Sequence, residues 1–256
     1  MTKEPLILTV ETSGRIGSVA IALGDRMLGE TRFSGLMRHS SELFPAISTL
    51  LEQHHRKPGQ IQHVYISIGP GSFTGLRIAV AMAKTMHLAN STKIVAVDTL
   101  DVIAANASDY ITEKNARVER IAVLLDAKRS QFFTAAYKLH SKAHDNAHIE
   151  VHGMHHEKTL PDCLMTAPQL IEKLAVYSEP VWVLGEGLVY HKDKFTADGI
   201  RLLPEDYWSP SAKKVHLLGW KKAQQGQFED PLALQPLYLR RPEPEEKWKE
   251  KHSARP

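Results

Sequence analysis

The chain opens on an apolar run closed by polar residues, L-I-L-T-V-E-T-S, which reads as a strand ending in an acid and two hydroxyls. S-V-A-I-A-L-G-D and R-M-L-G-E-T-R-F follow across short glycine turns, so an antiparallel three-strand meander is expected. Apolar residues at Leu43, Phe44, Ile47, Leu50 and Leu51 then fall on one helical face, with Ser40 or Ser41 expected as N-cap and Pro45 near the first turn. V-Y-I-S-I is a fourth strand, and residues 74–90 are a long helix of good helix formers. K-I-V-A-V is a fifth strand, and another helix begins near Asp98.

This βββαβαβα order is that of a ribonuclease-H-like lobe, the unit of the two-lobed actin, Hsp70 and sugar-kinase superfamily. The second half starts again with two strands around a turn at Ala127–Ser130. V-W-V-L-G-E-G at 181–187 is a later strand and turn, and S-P-S-A-K-K-V-H-L-L-G-W-K-K-A-Q-Q-G is a capped helix ended by Gly226. The expected class is therefore α/β with a reduced second lobe. Residues 1–108 would form the first lobe and 109–208 the second. Residues 209–240 would be a helix and strand packing back on the lobes, and the charged, proline-rich 241–256 reads as a disordered tail.

Between the fourth strand and the long helix stands I-G-P-G-S-F-T-G-L-R-I, residues 68–78. Gly69, Gly71, Ser72, Thr74 and Gly75 could form a nest of backbone N–H groups for an anion such as a phosphate, with Arg77 as a nearby cation. The Gly-Lys-Ser/Thr of a P-loop does not follow. The same glycines equally suit a tight turn that brings two stretches of backbone close together. The helix behind the loop is apolar nearly all round. Its small face, with Ile78, Ala79, Met82, Ala83 and Met86, suits either a partner helix or burial within the chain itself.

Composition narrows the classes. With 256 residues and 43% hydrophobic content, the chain can bury a sizeable core, and no apolar run reaches membrane-span length. The N-terminal residues lack a small-residue cleavage site, so a cytoplasmic protein is expected. A net charge of +3 is too mild to argue for direct nucleic-acid binding, and any such role would run through a partner. The lone Cys163 reads as an inert thiol. His39 beside Ser40 has no third group to complete a triad. His140, His144, His148, His152, His155 and His156 would gather for zinc on a helix, but the flanking I-E-V-H-G-M favours a hairpin.

I-L-T-V-E-T-S, H-S-S-E-L-F-P-A-I, G-P-G-S-F-T-G-L-R-I, L-L-D-A-K-R and P-L-Y-L-R occur in the order of the TsaB (YeaZ) family, which the chain resembles over roughly residues 6–240. The resemblance implies a two-lobed actin-like fold and a catalytically inert paralogue of TsaD. TsaD transfers threonylcarbamoyl to adenosine 37 of tRNAs that read codons starting with A. It further implies heterodimerisation with TsaD through first-lobe helices, an additional ATPase partner, TsaE, and tRNA engaged through the complex. ATP or ADP would be held only in that complex, and the same helices could form a homodimer when the partner is absent. Where the catalytic paralogue carries His-x-x-x-His, this chain has V-D-T-L-D, so no metal is expected, and Asp98 is expected to cap a helix. Glu11, where the family more often has Asp, with Thr12, Ser13 and Asp126, is the residual polar site to watch, and Arg129 accompanies Asp126. The contrasting reading is a stand-alone ATP-dependent kinase or transferase of the same superfamily.

Overall fold

The computed structural model describes residues 4–36, 38–141, 149–151 and 153–240, with His39 and Ile149 in backbone only. The meander forms as expected: β1 (Leu6–Glu11), β2 (Ser18–Leu23) and β3 (Arg26–Arg32) pair antiparallel. β4 (Ile61–Gly69) and β5 (Lys93–Asp98) then add in parallel, giving the order β3-β2-β1-β4-β5. Alternation along β1 splits its side chains between two cores. Leu6, Leu8 and Val10 pack beneath α1 (His39–Gln53) and α2 (Phe73–Asn90), whereas Ile7 faces the opposite side.

The second sheet repeats the plan. β6 (Arg120–Asp126), β7 (Gln131–His140) and β9 (Met154–Thr166) run antiparallel, and β10 (Val181–Leu184) and β11 (Ile200–Leu202) join in parallel beside β6. The short β8 (Ile149–Val151) closes a hairpin on β9, so the order β11-β10-β6-β7-β9-β8 mirrors the first sheet with one strand added. The lobe is reduced in its helices. α5 (Ala167–Leu174) connects β9 to β10, and only short 3-10 turns lie between β10 and β11. The fold is the two-lobed, ribonuclease-H-like α/β architecture expected.

α3 (Thr99–Ala104) lies between the two sheets. Leu100, Ile103 and Ala104 face the second core, while Val102 joins the first. α4 (Asn106–Lys114) continues the crossing. α6 (Ala212–Gln224) starts at Ser211, whose hydroxyl accepts from Lys214 N, and lays Val215 and Leu218 on the underside of the first sheet. Each such burial contributes about 1.5–3 kcal/mol. The approach is close, because a Cβ on Gly219 would stand 2.8 Å from the Tyr65 ring.

Several local expectations change. α1 begins at His39 with Arg38 rather than a serine at the N-cap position, and no side chain caps it. Glu42 instead reaches back to Ser34, accepting from its N–H at 2.6 Å and from its hydroxyl at 2.5 Å. Starting earlier, the helix carries Pro45 in its second turn. No ladder strand forms between 227 and 240. That segment is tied to the first sheet by single bonds, Glu229 N to Ile94 O and Leu237 N to Ile68 O. Among the described residues, no helix is long and apolar enough to cross a membrane.

Candidate functional site

β1 and β4 end side by side, and their exits interlock. Ser72 N donates to Ser13 O at 2.8 Å, and the Thr12 hydroxyl donates to Gly75 O at 2.8 Å. A Cβ on Gly71 would stand 2.5 Å from Ser13 O, so only glycine fits there. Gly69 adopts φ +119° with Leu237 O 2.8 Å from where its Cβ would be. Ser72 caps α2 by accepting from Gly75 N at 3.3 Å. The glycines are therefore used for close backbone packing against residues 13 and 237, and they bring the head of α2 to the rim of a cleft.

This cleft, about 810 Å3, opens between the lobes. The glycine loop with Ser72 and Thr74 forms one wall, and the Asp126–Ser130 turn with Lys128 and Arg129 the other. Lys128, Arg129 and Ser130 all take positive φ, 63°, 53° and 57°, three consecutive side-chain-bearing residues in a left-handed conformation. Asp126 steadies the turn, accepting from Lys128 N at 2.7 Å and pairing with its ammonium at 2.9 Å. Burial would raise the Asp126 carboxyl, but these Lys128 bonds outweigh it and hold the group below its ordinary value.

Glu11 is not in the cleft wall. It is fully buried, and its Oε1 accepts from Ser13 N and Ser13 Oγ at 2.5 Å and from Gly14 N at 3.3 Å. Burial raises its pKa against those bonds. The turn uses Oε1 alone, and Oε2 is buried without a hydrogen-bond partner among the described residues.

Beyond the residues that the sequence motifs indicate, the fold gathers Glu186, Arg15, Tyr190 and Tyr238 here. Glu186 accepts from Arg15 N at 2.8 Å and from the Ser209 hydroxyl at 2.8 Å, joining the two lobes at the cleft floor. Burial raises its pKa as well. Arg15 lies 4.9 Å from the Tyr190 ring centre, and Arg77 donates to the Tyr238 hydroxyl at 3.1 Å while covering the Phe73 ring at 3.8 Å. The signal for Glu186 was a second strand-end glycine pair, Gly185 and Gly187, matching Gly69 and Gly71.

The α2 side chains expected on its small face divide between the core and the helix edge. Ala79, Met82 and Ala83 turn inward and are buried in the chain's own core with Val80. Ile78 and Met86 are half-buried at the edge, and the outward stripe runs through Arg77, Ala81, Thr85 and Leu88. Leu88 is 80% exposed, and Phe44 on α1 is 60% exposed. Asp98 occupies the α3 N-cap position but makes no capping bond, because its carboxylate faces Lys158. Of the histidine-rich stretch, His144, His148 and His152 lie outside the described residues, as do the tail 241–256 and the His39 side chain. His140 pairs with Glu157 at 3.0 Å, and His156 is buried with its Nε2 2.8 Å from the Ser108 hydroxyl. Among the described residues, no three metal-ligating side chains group as a metal site.

Residues 36–245 match the model of the family described as TsaD, tRNA N6-adenosine threonylcarbamoyltransferase. The chain is 28% identical over 246 residues to the Bacillus subtilis tRNA threonylcarbamoyladenosine biosynthesis protein TsaB, covering 94% of this chain and 97% of that one. Its fold is that of two solved Pseudomonas aeruginosa structures, each spanning 92% of this chain and all of the other. One is described as YeaZ, with 21% identity and a TM-score of 0.72. The other is an uncharacterised protein with similarity to peptidase YEAZ, with 20% identity and a TM-score of 0.74.

Proposed function

The chain belongs to the TsaD family, on its TsaB (YeaZ) branch, and from that membership we propose that it is a non-catalytic partner of a TsaD-type enzyme in the formation of threonylcarbamoyladenosine on tRNA. The observation that carries this reading is that both long helices of the first lobe leave large apolar side chains exposed: Phe44 on α1 and Leu88 on α2, with the small Ala81 on the same outer stripe of α2 as Leu88. Helices that leave apolar side chains uncovered suit helix-to-helix docking. The inward Ala79, Met82 and Ala83 of the expected contact set then serve the fold behind it, with Ile78 and Met86 at its margin. Glu11, the acid best placed for residual chemistry, is fully buried and lies outside the cleft lining, with Oε1 held by the Ser13–Gly14 turn, which agrees with a partner role.

In this reading the enzyme is ordered by the docked helices, TsaE joins the pair, and tRNA carrying adenosine 37 is engaged through the assembly in the cytoplasm. Without its partner, the same face would pair two copies of this chain. Adenine nucleotide in the assembled complex is a second reading, favoured by the interlobe cleft with Arg15, Lys128 and Arg129 at its walls. Titrating labelled ADP into the complex and into an Arg15→Ala, Arg129→Ala variant tests it, and equal binding by both would remove it.

The main test is reconstitution from purified components, with the modified nucleoside read by mass spectrometry. Product is expected only when this chain and the TsaD-type enzyme are both present. Ala81→Arg with Leu88→Asp should leave the fold intact, weaken the pair by about tenfold or more, and reduce product in step. Product from this chain alone, or full activity of the double variant, would sink the proposal.

A further inference from the structure

After α6 the chain returns alongside α2 and then crosses the cleft. The Lys84 ammonium donates to Leu232 O at 3.4 Å, and Leu234 is buried in the first core. Leu237 N donates to Ile68 O at 2.7 Å. The Tyr238 hydroxyl accepts from Arg77 at 3.1 Å, and its ring centre lies 5.4 Å from that of Phe73. Two residues later, the Arg240 guanidinium donates to Ala127 O and to Gln131 Oε1, both on the second lobe. Residues 237–240 are therefore a strap from the head of α2 to the opposite wall, and all four line the cleft.

The turn that Arg240 grips is strained. Ala127 and Gln131 bracket the three left-handed residues Lys128, Arg129 and Ser130. Ala127 N donates to Gln131 O at 2.9 Å and Gln131 N to Lys128 O at 3.0 Å, closing the turn between β6 and β7. Residues with a side chain visit this conformation singly and at a steric cost, because Cβ crowds the following carbonyl. A run of three persists only where the surroundings over-determine it. Asp126 secures the entry through Lys128 N, and Arg240 spans both ends through Ala127 O and the Gln131 side chain. A turn held against its own preference has a second conformation available, and loss of the strap releases it.

We propose that the strap is a clasp coupling the outer side of α2 to the cleft wall: seated along α2, it holds the Lys128–Ser130 turn left-handed through Arg240, and a protein docked on α2 presses it home. The docking half of this rests on the partner reading above. Leu232 is 87% exposed and Tyr238 38%, and they are tied to Lys84 and Arg77 on the helix that carries Ala81 and Leu88. A partner helix laid along that stripe meets Leu232 and Tyr238 only while the strap is seated. It therefore binds the seated state more tightly, and by linkage it stabilises the clasp. The basic cleft wall at Lys128 and Arg129 is set in place as the complex forms.

Amide exchange in the full chain reads the two ends separately, with Leu237 N–H reporting the strap and Gln131 N–H the turn. Arg240→Met should speed exchange at both by about tenfold and leave the first sheet as protected as in wild type. Adding Ser130→Gly, which places no Cβ at that φ of 57°, should restore protection at Gln131 but not at Leu237. Unchanged Gln131 exchange in Arg240→Met, or a rise spread over the whole chain, would overturn the clasp. Purified TsaD-type enzyme added to wild type should slow both amides by about tenfold. A complex that forms and leaves Gln131 unaffected would overturn the coupling. If no complex forms, the partner reading fails instead, and the Arg240→Met comparison still decides the clasp.

Discussion

Each lobe opens with a strand that ends in an acid, and the two acids make the same first bond. Glu11 at the end of β1 accepts from the N–H of Ser13, and Asp126 at the end of β6 accepts from the N–H of Lys128. Their surroundings then separate them. Glu11 is sealed beneath the glycine loop and its pKa is raised, first by burial. Asp126 faces the cleft beside an ammonium, and hydrogen bonds from Lys128 overcome its partial burial. The parallel extends to the strands that lie parallel beside β1 and β6, namely β4 and β10. Gly69 and Gly185 share φ of +119°, each pressed on a foreign backbone, Leu237 and Leu124 respectively. One backbone plan has thus been filled with chemistry of opposite character. An acid at a strand end is a turn fastener first, and what surrounds it decides whether it keeps its charge.

The sharpest way to break this parallel is through the glycines. Gly185→Ala would place a Cβ 2.2 Å from Leu124 O at a φ that other residues rarely adopt. Its expected cost is about 4 kcal/mol or more, read by urea unfolding. Gly71→Ala meets Ser13 O at 2.5 Å without the φ penalty and should cost less, about 2–3 kcal/mol. If Gly71→Ala proved the worse of the two, backbone conformation would not be the dominant cost.

The acids sharpen the comparison at smaller scale. Glu11→Gln keeps the oxygen that accepts from Ser13 and Gly14, so below the ordinary carboxylate range, where wild type is protonated, stability should change by about 1 kcal/mol or less. The variant should gain on wild type as pH rises through the raised pKa, where the wild-type side chain must either ionise while buried or unfold. Asp126→Asn acts with the opposite sign. The lowered pKa of Asp126 contributes above its unfolded value and is lost as pH falls through the folded one. The variant should lose about 0.5–1 kcal/mol at neutral pH and nothing in strong acid. Parallel pH profiles for the two variants would erase the contrast drawn here.

Strand order and the glycine turn were legible because both are local: alternation sets strands, and three glycines beside a proline allow few conformations. The orientation of α2 was not. A helix apolar on every side does not say which stripe meets its own sheet, and Ala79, Met82 and Ala83 proved to be that stripe. Asp98 stands at the N-cap of α3 without capping it, and the side chain it faces, Lys158, lies sixty residues further on, out of reach of local pattern. Serine caps were expected for α1, but Glu42 reaching back to Ser34 sets the entry instead. Glu186 and Arg15 illustrate the same limit, since each becomes part of a site only when two lobes close on one another.

The last feature is the position of α6 in the chain. It carries Val215 and Leu218 into the underside of the first sheet, and the stretch after it ties Glu229 and Leu237 to β5 and β4. During synthesis, the first five strands emerge more than a hundred residues before the helix that covers them. At elongation rates of about 5–20 residues per second that interval lasts on the order of ten seconds. Through all of it, Ile7, Tyr65 and Val95 face solvent or a chaperone, so the amino-terminal lobe, first to be made, is among the last parts to be finished.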